Sequence, residues 1–417
     1  MMPNGLRPTS SLARLSIAGL ACLMLVSGGA AQSPAEKTGR QENFGSSLER
    51  FRRDPRKQVG SGAQQTRAGG GTEQPEDVVR VDTLLTVLDV AVTDASGSRA
   101  ITGLNRDDFV VVEDGVPQQI DTLTPGDDTR KLPRSIVLIV DWSGSLLPYL
   151  DESIKAAKTL VDKLAPTDEM AIVTDDVRLA IDFTRDKKRL KSTLDSFKKL
   201  ARKGWTGKSL QFSALLATLR ELVDVEKKRP IIIFQTDGDE AQRIKDPPLA
   251  GSTAPGVYYM SDVYTAVEKS QVKIYTVVPG RKLTDIPPSE LLERGRQMVA
   301  GYENAYREYY KPYDRRSEKP RVPDQVVHLL AELRAHDQAA AARVAELTGG
   351  WASFLERPEQ ASEIYGRILS DINSRYVIGY YPTNKARDGR LRTVRVEVKG
   401  HPDYVVHGRR SYYVTSQ

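Results

Sequence analysis

The chain has 417 residues, 39% of them hydrophobic, with a mean hydropathy of -0.43 and a formal net charge of +6. That length leaves room for two domains plus tails, and the composition supports real cores and suits a soluble protein. Its 61 basic residues are interleaved with 55 acidic ones, so there is no basic field of the kind that binds nucleic acid. The single cysteine, Cys22, lies near the N-terminus, so the remainder of the chain has neither a disulfide framework nor a thiolate metal ligand.

Arg7 and Arg14 precede an apolar run at 15–26 that is short for a membrane span, and Ser27, Gly28, Gly29, Ala30 and Ala31 follow it. A basic start, an apolar middle and small residues read as a signal peptide over 1–31, cleaved near Ala30 or Ala31. An uncleaved N-terminal anchor is the other reading. A lipid anchor on Cys22 fits less well, because Gly19 precedes it and the apolar run continues beyond it. Cleavage leaves a mature chain without a membrane span, bound for the periplasm, the cell envelope or the medium. Residues 32–77 are polar and charged, with Gly69, Gly70 and Gly71, and predict a disordered linker.

Short strands are expected over 78–130. Leu88, Val90 and Val92 alternate with polar or small residues, and Phe109 through Glu113 reads as a strand turning at Asp114 and Gly115 into a hairpin. The segment 377–417 has the same character, with Val394, Val396 and Val398 alternating. Neither end is large enough for a comfortable β-domain alone. The expectation is one composite, all-β sandwich built from both ends, with the middle domain inserted into it; two separate β-extensions are the alternative.

Between them, over 134–376, strand and helix patterns alternate. Strands are expected at 136–141, 170–173, 177–183, 231–237, 272–278 and 351–355, with helices at 149–164, 187–200, 210–223, 262–270 and 359–374. A long polar helical insertion is expected at about 281–335. Such alternation specifies an α/β domain with a doubly wound, mostly parallel sheet, which places ligands at strand C-termini.

Two of those strand ends carry chemistry. The first delivers Asp141, Ser143 and Ser145; the second, about ninety residues later, delivers Asp237 followed by Gly238 and Asp239. Hard oxygen ligands gathered by adjacent strands suit a small divalent cation. The alternative is that Asp141, Ser143 and Ser145 only cap the following helix.

With the second loop in register, the segment from about Ser135 to Tyr376 resembles the von Willebrand factor type A (VWA) domain, a Rossmann-like fold. The flanking runs from Gly103 to Gly115, from Tyr376 to Pro382 and from Gly408 to Tyr412 resemble exported A-domain-related proteins common in Acidobacteria. The resemblance implies a metal-ion-dependent adhesion site (MIDAS) for Mg²⁺ or Mn²⁺. Ser143 and Ser145 would ligate directly, and Asp141 and Asp237 directly or through water. The family also uses a threonine before a middle helix. Ser209 is the best match to it, Thr206 is a close competitor, and a serine supplies the same oxygen.

Two carboxylates with neutral hydroxyls leave a divalent charge incompletely neutralised, so an open coordination position favours an outside carboxylate. The partner expected on this reading is a protein presenting an Asp or Glu. A stripe of Tyr302, Tyr306, Tyr309, Tyr310 and Tyr313 in the insertion reads either as packing or as a partner-binding rim. The loop at 242–259 is the candidate opposite rim. Asp175 and Asp176 read as a turn, and Asp239 and Glu240 read as solvated loop acids or as modulators of the charge near the metal. His328, His336, His401 and His407 lack metal-ligand spacing. The basic stretch at 187–208 reads as a solvated helix face or as an electropositive flank that attracts an acidic partner.

The sequence shows no phosphate-binding glycine loop, no G-x-S-x-G elbow and no general base beside the acidic loops. The expectation is therefore an exported, non-enzymatic binding or adhesion protein. An envelope scaffold binding through the sandwich or the Tyr-rich insertion, without metal, is the second reading, and metal-assisted hydrolysis the third.

Overall fold

The computed structural model describes residues 39–51, 85–96, 99–129, 133–204, 206–223, 229–240, 259–309 and 322–414. The segment read as a signal and the loop at 242–258 lie outside them. The same holds for residues 52–77 of the expected linker. Among the described residues no helix is long and apolar enough to cross a membrane.

Residues 39–51 correct the expectation of a disordered linker. Helix α1 (Gly39–Asn43) and a 3-10 turn at Ser46–Phe51 lie against the body. Phe44 and Leu48 reach the hydrophobic core there. Glu221 accepts hydrogen bonds from the backbone N–H groups of Gly45 (2.8 Å) and Ser47 (3.0 Å). Two apolar anchors and one carboxylate hold a segment whose average composition is polar.

The N-terminal strands are β1 (Thr86–Thr93), β2 (Phe109–Glu113), β3 (Val116–Gln118) and β4 (Ile120–Thr124). A short helix α2 (Gly126–Thr129) leads to β5 (Arg134–Val140) and α3 (Leu147–Lys163). Then come β6 (Glu169–Thr174), β7 (Arg178–Thr184), α4 (Lys187–Ala201) and α5 (Gln211–Glu221). The chain continues through β8 (Arg229–Gln235), α6 (Met260–Lys269), β9 (Lys273–Pro279), α7 (Pro288–Tyr309) and α8 (Asp324–Leu347). It closes with β10 (Ala352–Leu355), α9 (Ala361–Asn373), β11 (Tyr376–Tyr380), β12 (Leu391–Val398), β13 (Val405–His407) and β14 (Ser411–Tyr413).

The central sheet runs β10-β9-β8-β5-β6-β7 and is parallel except for β7, which pairs antiparallel with β6. Every residue of β5 and β9 is buried, as expected of parallel strands covered on both faces. Alternate side chains of β5 divide between two cores. Ile136, Leu138 and Val140 pack with Leu150 and Ile154 of α3, Leu194 of α4 and Ile368 of α9. Val137 and Ile139 pack with Phe212 of α5, Val263 of α6 and Val344 of α8. Numbered from its first strand, the sheet order is 3-2-1-4-5-6, and the direction of winding reverses between β5 and β8, where such folds open a ligand crevice.

The remaining strands form two four-stranded sheets, β13-β1-β11-β4 and β14-β12-β2-β3, that draw on both ends of the chain. Leu88, Val90, Val111, Tyr376, Ile378 and Val394 fill the core between them. This sandwich sits at the base of the parallel sheet. Arg375 is buried there, donating to the Asp89 carboxylate, to Asp371 (2.6 Å), and to the carbonyls of Gly349 (2.9 Å) and His407 (2.8 Å). Arg229, at the start of β8, also pairs with Asp89, and Lys273, at the start of β9, donates to the carbonyls of Asp89 (3.2 Å) and Thr348 (2.6 Å). Burial alone would raise the Asp89 carboxyl, but the charges of Arg229, Arg375 and Lys273 override it and hold it well below the usual range. Arg409 of the sandwich donates to the carbonyl of Glu268 (2.8 Å) and to that of Ser270, at the C-terminal end of α6.

Replacing Arg375 with methionine is expected to cost about 3–5 kcal/mol in urea unfolding, because it leaves Asp89 with Arg229 as its remaining guanidinium partner and removes the donor to Asp371 and to the Gly349 and His407 carbonyls. The depressed Asp89 carboxyl contributes stability above about pH 4 that disappears as pH falls through its folded value, so Asp89→Asn should flatten part of the acid limb.

Candidate metal centre

Register brings the acidic residues together. Val140 of β5 pairs with Gln235 of β8 and with Thr174 of β6, so the chain leaves all three strands at one level. The Asp141 N–H then donates to Gln235 O (3.1 Å), and the Asp175 N–H to Val140 O (3.2 Å). Asp141, Asp175 and Asp237 are thereby gathered at one edge of the sheet, all buried.

Direct hydrogen bonds join four of the predicted site residues. The Ser143 N–H donates to Asp141 Oδ1 (2.9 Å), the Ser143 and Ser145 hydroxyls are 3.1 Å apart, and the Ser145 hydroxyl donates to Asp237 Oδ2 (2.6 Å). Ser143 is the N-terminal residue of a 3-10 turn at Gly144–Leu146 but makes no side-chain cap there, so its hydroxyl is directed to the acidic cluster. Ser209 joins indirectly: its N–H donates to Asp175 Oδ2 (2.7 Å), while Asp175 Oδ1 accepts from the Trp142 N–H (3.3 Å). Ser209 sits at φ 53°, in the left-handed region that non-glycine residues rarely occupy and that clusters at functional sites. A Cβ on the neighbouring Gly207 would lie 1.9 Å from Asp175 Oδ1, so only glycine lets this loop approach. Thr206 is half-buried on the same loop.

Asp175 lies in the expected turn between β6 and β7. It is buried and ties the first acidic loop to the Ser209 loop. Glu240 is no solvated loop acid. It caps the N-terminus of α5, accepting from the Phe212 N–H (2.8 Å), the Ser213 N–H (3.4 Å) and the Ser213 hydroxyl (2.8 Å).

Two further residues had no flag in the sequence. The Gln211 amide donates to both the Asp141 carboxylate and Asp237 Oδ1 (2.9 Å), while its oxygen accepts from the Thr236 hydroxyl and the Gly238 N–H (3.0 Å). Arg334, from α8, lies 2.8 Å from Asp237 Oδ2 and 3.6 Å from Asp239. Neither could be found from local spacing, since Gln211 occupies what reads as an apolar helix position and Arg334 lies on the insertion.

The charges are unevenly balanced. Burial, and then the carboxylates of Asp175 and Asp237, push the Asp141 carboxyl well above its usual value. Burial pushes Asp175 up to about 7 against the pull of the Ser209 and Trp142 N–H groups. Asp237 goes the other way: burial would raise it, but Arg334, Ser145 and Gln211 hold it below the usual range. Buried carboxylates in excess of positive charge, with two hydroxyls beside them, form a donor set that fits a small hard cation. Among the described residues no group of three or more His, Cys, Asp or Glu side chains is arranged to hold a metal, so any such ion depends on the serine oxygens as well.

Of the five tyrosines, Tyr302 alone has a described side chain. It is half-buried near Arg334, Asp237 and Tyr149, and burial pushes its hydroxyl up to about 12. Tyr306 and Tyr309 lie on α7, and Tyr310 and Tyr313 fall outside the described residues. His328 faces Glu332, His401 stacks on Tyr404 and His407 contacts Thr93, so the histidines are scattered. The basic helix α4 is pinned to α3 by Lys158–Asp195 (2.9 Å) and Lys198–Asp151 (3.1 Å).

The doubly wound sheet with acidic loops at its winding reversal accords with the fold that the sequence resemblance implies. No protein-family model matches the chain. No curated protein matches it either. Solved structures to which it is similar include BatB from Bacteroides thetaiotaomicron, with 16% identity and a TM-score of 0.34 over 58% of this chain and 98% of that one. Another is the vWF domain of the type V pilus tip protein Mfa5 from Porphyromonas gingivalis, with 13% identity and a TM-score of 0.32 over 58% and 95%. A third is the manganese-loaded TRAP protein of Plasmodium vivax, with 13% identity and a TM-score of 0.29 over 72% and 97%. At such scores the weight rests on the strand order and the loop geometry.

Truncating Glu240 to alanine is expected to destabilise the chain by about 2–4 kcal/mol, since it orphans buried donors at the start of α5. Burial pushes the Glu240 carboxyl up to about 7, so the folded state holds that proton longer than the unfolded chain does. Its contribution is complete below about pH 4.5 and is lost as pH rises through about 7. Glu240→Gln should remove that slope from a plot of Tm against pH.

Proposed function

We propose that this is an exported, non-enzymatic binding protein whose A-type domain holds Mg²⁺ or Mn²⁺ and engages a protein partner through that partner's Asp or Glu. The observation that carries this reading is the convergence of Asp141 and Asp237 with the Ser143 and Ser145 hydroxyls at the winding reversal. In this proposal Ser143 and Ser145 are direct ligands, and Asp141 and Asp237 ligate directly or through water. Ser209 is the fifth contributor, and Thr206 is the competing position on the same loop. The bound ion would supply an electrophilic point with an open position for a carboxylate.

The chain's own residues do the rest. Gln211 holds both carboxylates in place from below through bonds to Thr236 and Gly238, so they need little reorganisation to accept a cation. Asp175 sets the relative position of the two serine-bearing loops. Tyr302, on α7, lies beside Arg334 and Asp237 and is proposed as part of the partner-binding rim, and the proposal extends to Tyr306, Tyr309, Tyr310 and Tyr313, whose side chains are outside those described. The manganese-loaded TRAP structure accords with a divalent ion, and the pilus tip protein accords with a role in adhesion.

Thermal melting tests the centre. Millimolar Mg²⁺ or Mn²⁺ is expected to raise Tm by about 5 °C or more over EDTA, the shift that ligand at roughly 100 times its Kd produces in a domain of this size. Asp141→Ala should abolish the rise. Equal melting with EDTA and with metal would refute the metal centre. A partner retained equally in pull-downs with and without EDTA would favour the envelope scaffold binding through the sandwich or the Tyr-rich insertion.

A further inference from the structure

Helix α8 is laid directly over the loop that carries Asp237. Gly238 has φ +81°, and a Cβ there would lie 2.3 Å from the Asp337 carbonyl oxygen, so loop and helix are in backbone contact. The helix is fixed one turn after Arg334 as well: Gln338 accepts from the Leu283 N–H (2.9 Å) and donates to the Arg281 carbonyl (2.8 Å), which anchors α8 to the chain leaving β9. From this position Arg334, with only 14% of its side chain exposed, reaches Asp237 Oδ2 (2.8 Å) and the Asp237 carbonyl (3.4 Å).

The Asp237 carboxylate is consequently crowded. Oδ1 accepts from the Gln211 amide (2.9 Å) and the Asp239 N–H (3.1 Å); Oδ2 accepts from the Ser145 hydroxyl (2.6 Å) and is ion-paired with Arg334 (2.8 Å). A carboxylate offers about four lone-pair positions, so a cation that approaches Asp237 must compete with these groups. The Asp239 N–H is backbone, and Gln211 is locked by its own bonds to Thr236 and Gly238. The serine hydroxyl can turn its proton away and present a lone pair. Arg334 cannot do so. It is the only positive charge among the four, it is carried on a long flexible side chain, and like charges repel most strongly where water is excluded.

We propose that Arg334 is an internal cation that competes with the divalent ion for Asp237 and thereby sets the metal affinity of the centre. This rests on the metal-binding reading above. Loading of the centre and the Arg334–Asp237 pair oppose one another through charge repulsion, so metal entry weakens this link between α8 and the Asp237 loop, and breaking the link raises metal affinity by the same factor.

The test is a Mn²⁺ titration of the full chain, followed by the electron paramagnetic resonance of free Mn²⁺, on wild type, Arg334→Gln and Asp141→Ala. Arg334→Gln is expected to bind at least tenfold more tightly than wild type, with Asp141→Ala silent. Wild-type binding that depends on Asp141 but is not tightened by Arg334→Gln would overturn the role of Arg334 and leave the metal centre standing. Absence of binding in both wild type and Arg334→Gln would overturn the two together. Hydrogen exchange on wild type gives a reading that no variant's folding can spoil. Mn²⁺ should speed amide exchange around Arg334 in α8, and unchanged exchange at saturating Mn²⁺ would refute the coupling.

Discussion

The structure depends on a buried charge cluster at the foot of the parallel sheet, in which Arg375 and Arg229 close on Asp89. Arg375 alone contacts β1, the turn before β10, helix α9 and strand β13. The sandwich is made of strands from both ends of the ordered chain and has no independent continuity, so it must be held to the domain inserted between those ends. The hydrophobic effect is non-directional and would allow the two bodies to slide. A guanidinium whose donors are spent on four different segments allows one arrangement. Docking the sandwich at strand N-termini leaves the opposite edge, where β5, β6 and β8 end, free to assemble the acidic centre.

The two ends treat charge in opposite ways. At the base, one carboxylate faces Arg229, Arg375 and Lys273, and it is held ionised despite burial. At the top, Asp141, Asp175 and Asp237 are gathered with Arg334 as the cation beside Asp237, and Asp141 and Asp175 are displaced toward their neutral forms. Burying like charges together is unfavourable, and the fold tolerates it only because backbone N–H groups of Trp142, Ser143 and Ser209 and the Gln211 amide are spent on those carboxylates. The base is built for stability, and the top is built around a shortage of positive charge.

Much of this was legible in the sequence because it is local. The strands and helices of the α/β domain announce themselves by period, and Asp141 and Asp237 by their place at the ends of apolar runs. The alternation of Val394, Val396 and Val398 likewise marked the strand that pairs with β2. What escaped are residues whose meaning is set across long sequence separations. Asp175 reads only as a turn until β6 is paired with β5; Glu240 reads as a surface acid until the start of α5 is laid against it. Gln211 has the spacing of an apolar helix residue, and only the packing of α5 under both strand ends turns its amide toward the carboxylates. Residues 39–51 failed for a different reason: composition averages over a segment, whereas docking needed only Phe44, Leu48 and an acceptor at Glu221.

Placing Arg334 on the insertion, rather than in the sheet, separates two properties that most buried ion pairs keep together. Removing a charge from the base cluster deprives its partners of bonds and weakens the union of the two bodies. Arg334 has no such structural duty toward the sheet, because Asp237 keeps Ser145, Gln211 and the Asp239 N–H when the guanidinium leaves. Helix α8 in turn keeps its packing on β9 through Val344 and Ala341 and its anchor through Gln338. The positive charge at the centre is therefore exchangeable at modest cost to the fold. The element that carries it is packed against α7, where Tyr302 lies beside the same carboxylate. The electrostatics of the centre and the surface around it are thus set by one pair of helices, while the fold is held together at the other end of the molecule.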